Sequence, residues 1–256
     1  MHALAAWELA VLALVGAAAG FVNTVAGAGS LLSLRALMLF GMPPGLANGT
    51  NRVPVLAQSV AATLGFSKEN KLPRAAVFAA AWPACVGALC GSVAASFVPD
   101  REMKLVLIGV LFVVGVLGLR KATVKADASE LTDDAVVGLC KRPVIALWLF
   151  GAGAYGGFLQ AGVGLLLLHA LSNVGGLDLV RANALKAVVV AIFSVVAVAV
   201  FLARGMIIWL PAAAMAVGAV IGAQLAVKFA ISWAARLKVV VVVVDFAACI
   251  VLLATT

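Results

Sequence analysis

GFVNTVAGAGSLLSLRALMLFGMPPGLANGTNRV, residues 20–53, and GGFLQAGVGLLLLHALSNVGGLDLVRANALK, residues 156–186, decide how this chain is read. Each holds a glycine-rich interruption, then an apolar run too short to cross a bilayer (28–40 and 162–174), then a polar stretch ending in a cation. A shift of 135 residues superposes the two without gaps from Ala26 onward. Ala26, Gly27 and Gly29 fall on Ala161, Gly162 and Gly164. Leu31 and Leu32 fall on Leu166 and Leu167, Gly41 on Gly176, and Ala47 and Asn48 on Ala182 and Asn183. The register runs on through Phe66 on Phe201, Gly87 on Gly222 and Arg101 on Arg236. Chance matches would not keep register over this length, so the chain is read as an internal duplication. Upstream, Gly20 to Asn23 fit Gly157 to Gln160 if the first half carries two extra residues.

Of the 256 residues 65% are hydrophobic and 11% charged, and the mean hydropathy is +1.21. A soluble domain needs more polar surface than this. Several apolar runs reach the roughly 20 residues that span a bilayer as helix. They are continuous and rich in Ala, Leu, Val and Gly, not alternating as in a membrane β-barrel. The runs are 3–22, 28–40, 46–66, 73–97, 103–120, 143–158, 162–174, 178–202, 206–230 and 234–255. Residues 3–19 resemble a signal-peptide core, but they lack a basic n-region and carry Glu8, so they are kept in the fold. The fold class expected is an all-α polytopic membrane protein of about 8 membrane segments. These are six full spans plus two pairs of segments broken at the Gly-rich motifs, arranged as two inverted-topology repeats. Residues 1–120 form the first repeat, 121–142 a solvated cytoplasmic loop and 143–256 the second repeat.

The net charge of +8 follows from where the basic residues lie, without a nucleic-acid partner. With loops 67–72, 120–142, 175–181 and 231–238 in the cytoplasm, that side holds Lys68, Lys71, Arg74, Arg120, Lys121, Lys125, Lys141, Arg142, Arg181, Lys228, Arg236 and Lys238. The outer side holds Arg101, Lys104 and Arg204. This asymmetry sets the orientation, places both termini outside, and makes the second half enter from the face opposite the first. The location expected is the cell (inner) membrane.

Glycines at the breaks let the backbone approach a ligand, and the half-helix that follows turns its N–H groups toward the break. Gly27, Gly29, Gly162 and Gly164 are therefore candidate contacts, with plain helix packing as the alternative. Asn23, Thr24, Ser30 and Gln160 add uncharged donors. Arg52 and Lys186 sit about two turns into apolar spans, and Arg35 lies within 28–40. Intramembrane cations are costly and mark functional sites unless they snorkel to the interface. Opposing negative charge is scarce, so an anionic ligand is the expected partner. Asn48, Thr50, Asn51 and Asn183 complete the polar stretches, with helix capping the alternative for Asn48. Asp245, alone in an apolar run, and His169 are candidates for proton coupling or for structural pairing. The four cysteines (Cys85, Cys90, Cys140 and Cys249) form no CxxC pair and no metal-ligand spacing. No nucleotide-binding or hydrolase motif occurs. Neither an enzyme, a cofactor nor a metal is expected.

The glycine breaks and the Ala47–Val53 stretch resemble the sulfite exporter TauE/SafE family. In the first copy the match runs through Gly27–Leu34, Gly41–Pro44 and Ala47–Val53, and in the second through Gln160–Gly164 and Asp178–Lys186. The resemblance covers nearly the whole chain. It implies a permease for sulfur-containing organic or inorganic anions such as sulfite or sulfonates. Two positions depart from the family pattern. The triple glycine is thinned to Gly27-Ala28-Gly29-Ser30, and Arg35 replaces a usual proline. The function expected is secondary transport of a small anion through a midplane site between the repeats. The rivals are a passive anion channel and a membrane-embedded sulfur relay using cysteine. The partners expected are that anion and the lipid bilayer.

Overall fold

A computed structural model of the chain describes residues 5–106, 109 and 131–232. Asp245, Cys249, Arg236 and the apolar run 234–255 lie outside them. The described residues are helical and contain no strand. The first half supplies α1 (Ala6–Val25), α2 (Ser30–Leu39), α3 (Pro44–Thr50), α4 (Arg52–Lys68) and α5 (Val77–Ala95), which is entered through a 3₁₀ turn at Arg74–Ala76. The second supplies α6 (Asp133–Cys140), α7 (Pro143–Leu159), α8 (Val163–Leu168, continuing as a π turn over His169–Val174), α9 (Leu179–Ala203) and α10 (Trp209–Ser232). Among the described residues four helices are long and apolar enough to cross a membrane: α1, Arg74–Ala95, α9 and α10. A fifth crossing is formed if α6 and α7, bent by 73°, count as one. The protein is thus a polytopic helical membrane protein.

Two expectations are corrected. The run 46–66 is not one helix, because α3 stops at Asn51 and α4 starts afresh. Pro54 is the cause: it has no N–H for the Thr50 carbonyl, and its ring crowds that residue. The second half has Val189 at the matching place, and α9 runs unbroken. Nor is 120–142 loop throughout, since 133–140 form α6. The Thr132 hydroxyl caps it, accepting from the Ala135 N–H at 3.4 Å. Val136, Leu139 and Cys140 are buried in the core.

The bundle is assembled by exchange between halves. α1 packs on α10, and α7 packs on α5. Glycines permit both approaches: a methyl at Gly16 or Gly20 would strike the carbonyls of Met215 or Ala219, and one at Gly153 or Gly157 those of Ala84 or Ala88. Contacts rise in number together on both helices of each pair, so each pair runs parallel. α4 runs with α10 as well, Ala61 against Gln224 and Gly65 against Val227. Only the five-residue connection 69–73 separates α4 from the turn that opens α5, so α5 runs in the direction opposite to α4. α1 and α7, which the duplication equates, therefore point in opposite directions.

The loops gather at two ends. Gly45 bonds Asp100 at 2.9 Å, and Gly49 abuts Met206. At the other end Arg181 pairs with Asp133, and Leu139 packs on Gly175. Since 206–208 precede α10, the first of these ends is where α1 begins. The chain has therefore turned back between α1 and α3, and likewise between α7 and α9. The two turning points are the glycine breaks.

Left-handed backbone recurs at the spacing of the sequence match. Positive φ occurs at Gly27 (90°) and Gly162 (72°), at Gly41 (80°) and Gly176 (76°), and at Asn70 (54°) and Gly205 (67°). Each of these pairs is 135 apart. Upstream of the breaks the packing departs from the sequence match. Gly222 faces Ala17 and Phe21 as Gly87 faces Phe150 and Ala154. This offset is 133, not the 137 obtained by matching Gly20 to Gly157, so Gly20 corresponds to Gly153. Helix packing responds to where the small residues lie along the axis, not to the letters beside the break.

Gly27 and Gly164 touch backbone to backbone, and a methyl on either would enter the other. Gly41 has the same kind of φ but open space around it. In thermal unfolding in detergent, Gly41→Ala is expected to cost about 1–2 kcal/mol, from backbone strain alone. Gly27→Ala should cost clearly more. Equal losses would mean that the contact between the breaks is not closely packed.

Candidate functional site

α1 ends at Val25 and α7 at Leu159, both within the bundle. A helix end leaves its last carbonyls without intrahelical partners, and hydrocarbon supplies no water to satisfy them. Two cations do so, each from the opposite half. Lys186 Nζ donates to the carbonyls of Asn23 and Thr24, each at 3.0 Å, and to Asn183 Oδ1 at 2.7 Å. Arg52 serves the end of α7. Its Nη1 donates to the Gly156 carbonyl and, at 2.7 Å, to Gln160 Oε1. Its Nη2 donates to the carbonyls of Gly157 (2.8 Å) and Phe158 (3.1 Å), and to Asn48 Oδ1 (3.0 Å). Arg52 is 0% exposed and Lys186 3%. The guanidinium also lies 4.9 Å from the centre of the Phe201 ring, an attractive cation–π geometry. Both cations face the negative ends of helix dipoles. Main-chain carbonyls and side-chain amides are the immediate partners of both cations.

The other expected residues gather around these ends, with exceptions. Asn48 Nδ2 donates to the Phe158 carbonyl at 2.8 Å, and Ser30 Oγ donates to the Gln160 carbonyl at 2.9 Å. Gln160 ends α7 in a left-handed turn at φ 46°. Gly29 fits against Ala19 and Asn23 of α1. Asn183 Nδ2 bonds the Leu179 carbonyl at 3.1 Å. Asn51 is fully buried, and neither of its amide atoms is bonded. Thr50 lies apart: its hydroxyl accepts the Ile208 N–H at 3.0 Å and ties α3 to the loop before α10. His169 is exposed, 3.0 Å from Asn173 and beside Trp148, away from both breaks. Arg35 is partly exposed on α2. Cys85, Cys90 and Cys140 are free thiols on α5 and α6 and do not line the site. Among the described residues no group of His, Cys, Asp or Glu could hold a metal ion.

Between the breaks lies a small cavity of about 10 Å³, room for about one water molecule. Asn23, Thr24 and Lys186 line it on one side, Val163 and Gly164 at the start of α8 on another, and Ser59 and Ala62 of α4 close it. Ser59 was not among the residues expected from sequence. It stands seven positions beyond Arg52, on the same helical face, and that spacing was the available signal.

Removing Arg52 would leave the Gly157 carbonyl, Gln160 Oε1 and Asn48 Oδ1 without donors, while the Gly156 and Phe158 carbonyls keep the Gln160 N–H and Asn48 Nδ2. A buried acceptor left unpaired costs about 1–3 kcal/mol, so Arg52→Ala is expected to lower stability by several kcal/mol. Lys186→Ala also strands three acceptors but gives up no ring contact like that of Arg52 with Phe201, so it should lower it less. Thermal unfolding followed by tryptophan fluorescence checks the ranking, and the reverse order would contradict it.

Residues 12–252 match the family described as sulfite exporter TauE/SafE. The probable membrane transporter protein ORF9 of a Sinorhizobium species is 28% identical over 99% of this chain and 95% of its own length. A probable membrane transporter protein of Haemophilus influenzae is 28% identical over 86% of this chain and 84% of its own. The probable membrane transporter protein YfcA of Escherichia coli K12 is 26% identical over 88% and 81%. A match this long, on a chain whose helices can cross a membrane and meet at two glycine breaks, makes this protein a membrane transporter belonging to the sulfite exporter TauE/SafE family.

Proposed function

We propose that the protein is a secondary transporter that moves small sulfur-containing anions, such as sulfite or sulfonates, through the cavity between its two breaks. The observation that carries this reading is Lys186, a buried ammonium group beside Asn23, Thr24 and Ser59 at the lining of that cavity. One positive charge among neutral donors favours a singly charged oxyanion over a neutral solute or a cation. Arg52 is fully enclosed and held by five acceptors; it shapes the site, and Lys186 meets the ligand.

The halves are read as inverted repeats that alternate access around this cavity. The opposite directions of α1 and α7 and the left-handed positions 135 apart support this. The chain is placed in the cell inner membrane with the 67–72 and 175–181 loops in the cytoplasm. Lys68, Lys71, Arg74, Lys141, Arg142, Arg181 and Lys228 gather toward that end, against Arg101, Lys104 and Arg204 toward the other. Asn70→Cys, in a form lacking the native cysteines, should react with an impermeant thiol reagent in inside-out vesicles and stay unreactive in right-side-out ones. The opposite pattern would invert the orientation.

The transport reading is tested in proteoliposomes. Saturable sulfite or alkylsulfonate flux is expected, lost in Lys186→Ala and weakened in Ser59→Ala while both variants remain folded. Unchanged flux in folded Lys186→Ala would overturn the site, and non-saturating conductance would replace the carrier by a channel.

A further inference from the structure

The cavity at Lys186 lies on one side of the contact between the breaks, and the register gives it a counterpart on the other. The 135-residue register gives the composition of that counterpart. Lys186 maps onto Asn51, Ala187 onto Arg52, Ser59 onto Ser194, Ala62 onto Ala197, and Gly164 onto Gly29. The helices that would carry it, α4 and α9, pack on each other.

Buried polar atoms single out the same residues independently. Asn51 Nδ2 and Oδ1, Arg52 Nε and Ser194 Oγ are buried and bonded to nothing among the described residues. So is Nε2 of Gln160, whose Oε1 is held by Arg52. Asn51, Arg52, Gln160 and Ser194 are each 0% exposed. Buried polar groups are paired in the great majority of cases, and a cluster of exceptions calls for a specific cause. Asn51, Arg52 and Ser194 are the register mates of the lining residues Lys186, Ala187 and Ser59, and Gln160 is bonded to Arg52, whereas the other buried unpaired atoms among the described residues, on Ser172, Asn173 and Asp178, are not mates of the lining. Four of these atoms are N–H or O–H donors, and one belongs to a cation.

We infer that Asn51, Arg52 Nε, Gln160 Nε2 and Ser194 form a second subsite for the same small oxyanion, collapsed in this conformation and opened when the Lys186 cavity closes. The inference rests on the inverted-repeat transport reading. At 1.5 Å per residue, the eight residues from Lys186 to Ser194 put the two subsites about 12 Å apart along α9. α9 begins at the end that carries most of the basic loops, so the Lys186 cavity belongs to the cytoplasmic side and the Ser194 subsite to the outer side. An anion would pass from one set of donors to the other across the Gly27–Gly164 contact.

Accessibility tests this without a known substrate. Ser59→Cys and Ser194→Cys are made in a form with Cys85, Cys90, Cys140 and Cys249 replaced by alanine, and treated with an impermeant maleimide in vesicles of each orientation. Ser59→Cys should be modified from the cytoplasmic face and Ser194→Cys from the outer face, and methanesulfonate should slow both. Ala197→Cys serves as a second reporter should Ser194→Cys fail to fold. Loss of all labelling at both outer reporters, with Ser59→Cys still reactive, would overturn the second subsite. Labelling of all three from one face would overturn it too, since that describes a single vestibule. An unreactive Ser59→Cys would instead overturn the cavity, and with it the transport site.

Discussion

A helix that stops inside a bilayer leaves carbonyl oxygens that neither lipid nor water can satisfy. The central architecture of this protein follows from that constraint. α1 and α7 both stop there, and each end is closed by a cation from the other half, Lys186 for α1 and Arg52 for α7. Each half is therefore incomplete without its partner, and the exchange ties α4 to α7 and α9 to α1 through groups that cannot be left unpaired cheaply.

The glycines act on the same junction. Gly27 and Gly164 bring the two breaks into main-chain contact, and the glycines of α1, α5, α7 and α10 let the parallel helix pairs approach closely. With little apolar driving force between helices in lipid, close packing and internal hydrogen bonds carry much of the association. Small residues and buried polar groups are thus both structural requirements here. A polar cavity at the junction adds the possibility of ligand contact without a separate binding domain.

Arg52 and Lys186 show how equal residues acquire unequal roles. The register places them one position apart. Arg52 follows the interruption at Asn51 that Pro54 causes, and its planar group spans several carbonyls at once. Lys186 lies on an unbroken helix and offers a compact charge beside the cavity. The fork of a guanidinium suits a fixed clamp, whereas a flexible ammonium suits a partner that comes and goes.

Helical class, membrane residence and the positions of both breaks were legible in the sequence, because hydrophobic run length and glycine clustering are local properties. Asn48, Gln160, Asn183, Arg52 and Lys186 were legible as candidates for the same reason: polar residues inside apolar runs stand out. The partners of those residues were not legible. That Arg52 reaches carbonyls more than a hundred positions away, that Thr50 and His169 lie apart from the breaks, that Ser59 lines the cavity, and that the upstream halves correspond by 133 residues all depend on which helix lies beside which. Such contacts join residues distant along the chain, so only the tertiary structure could decide them.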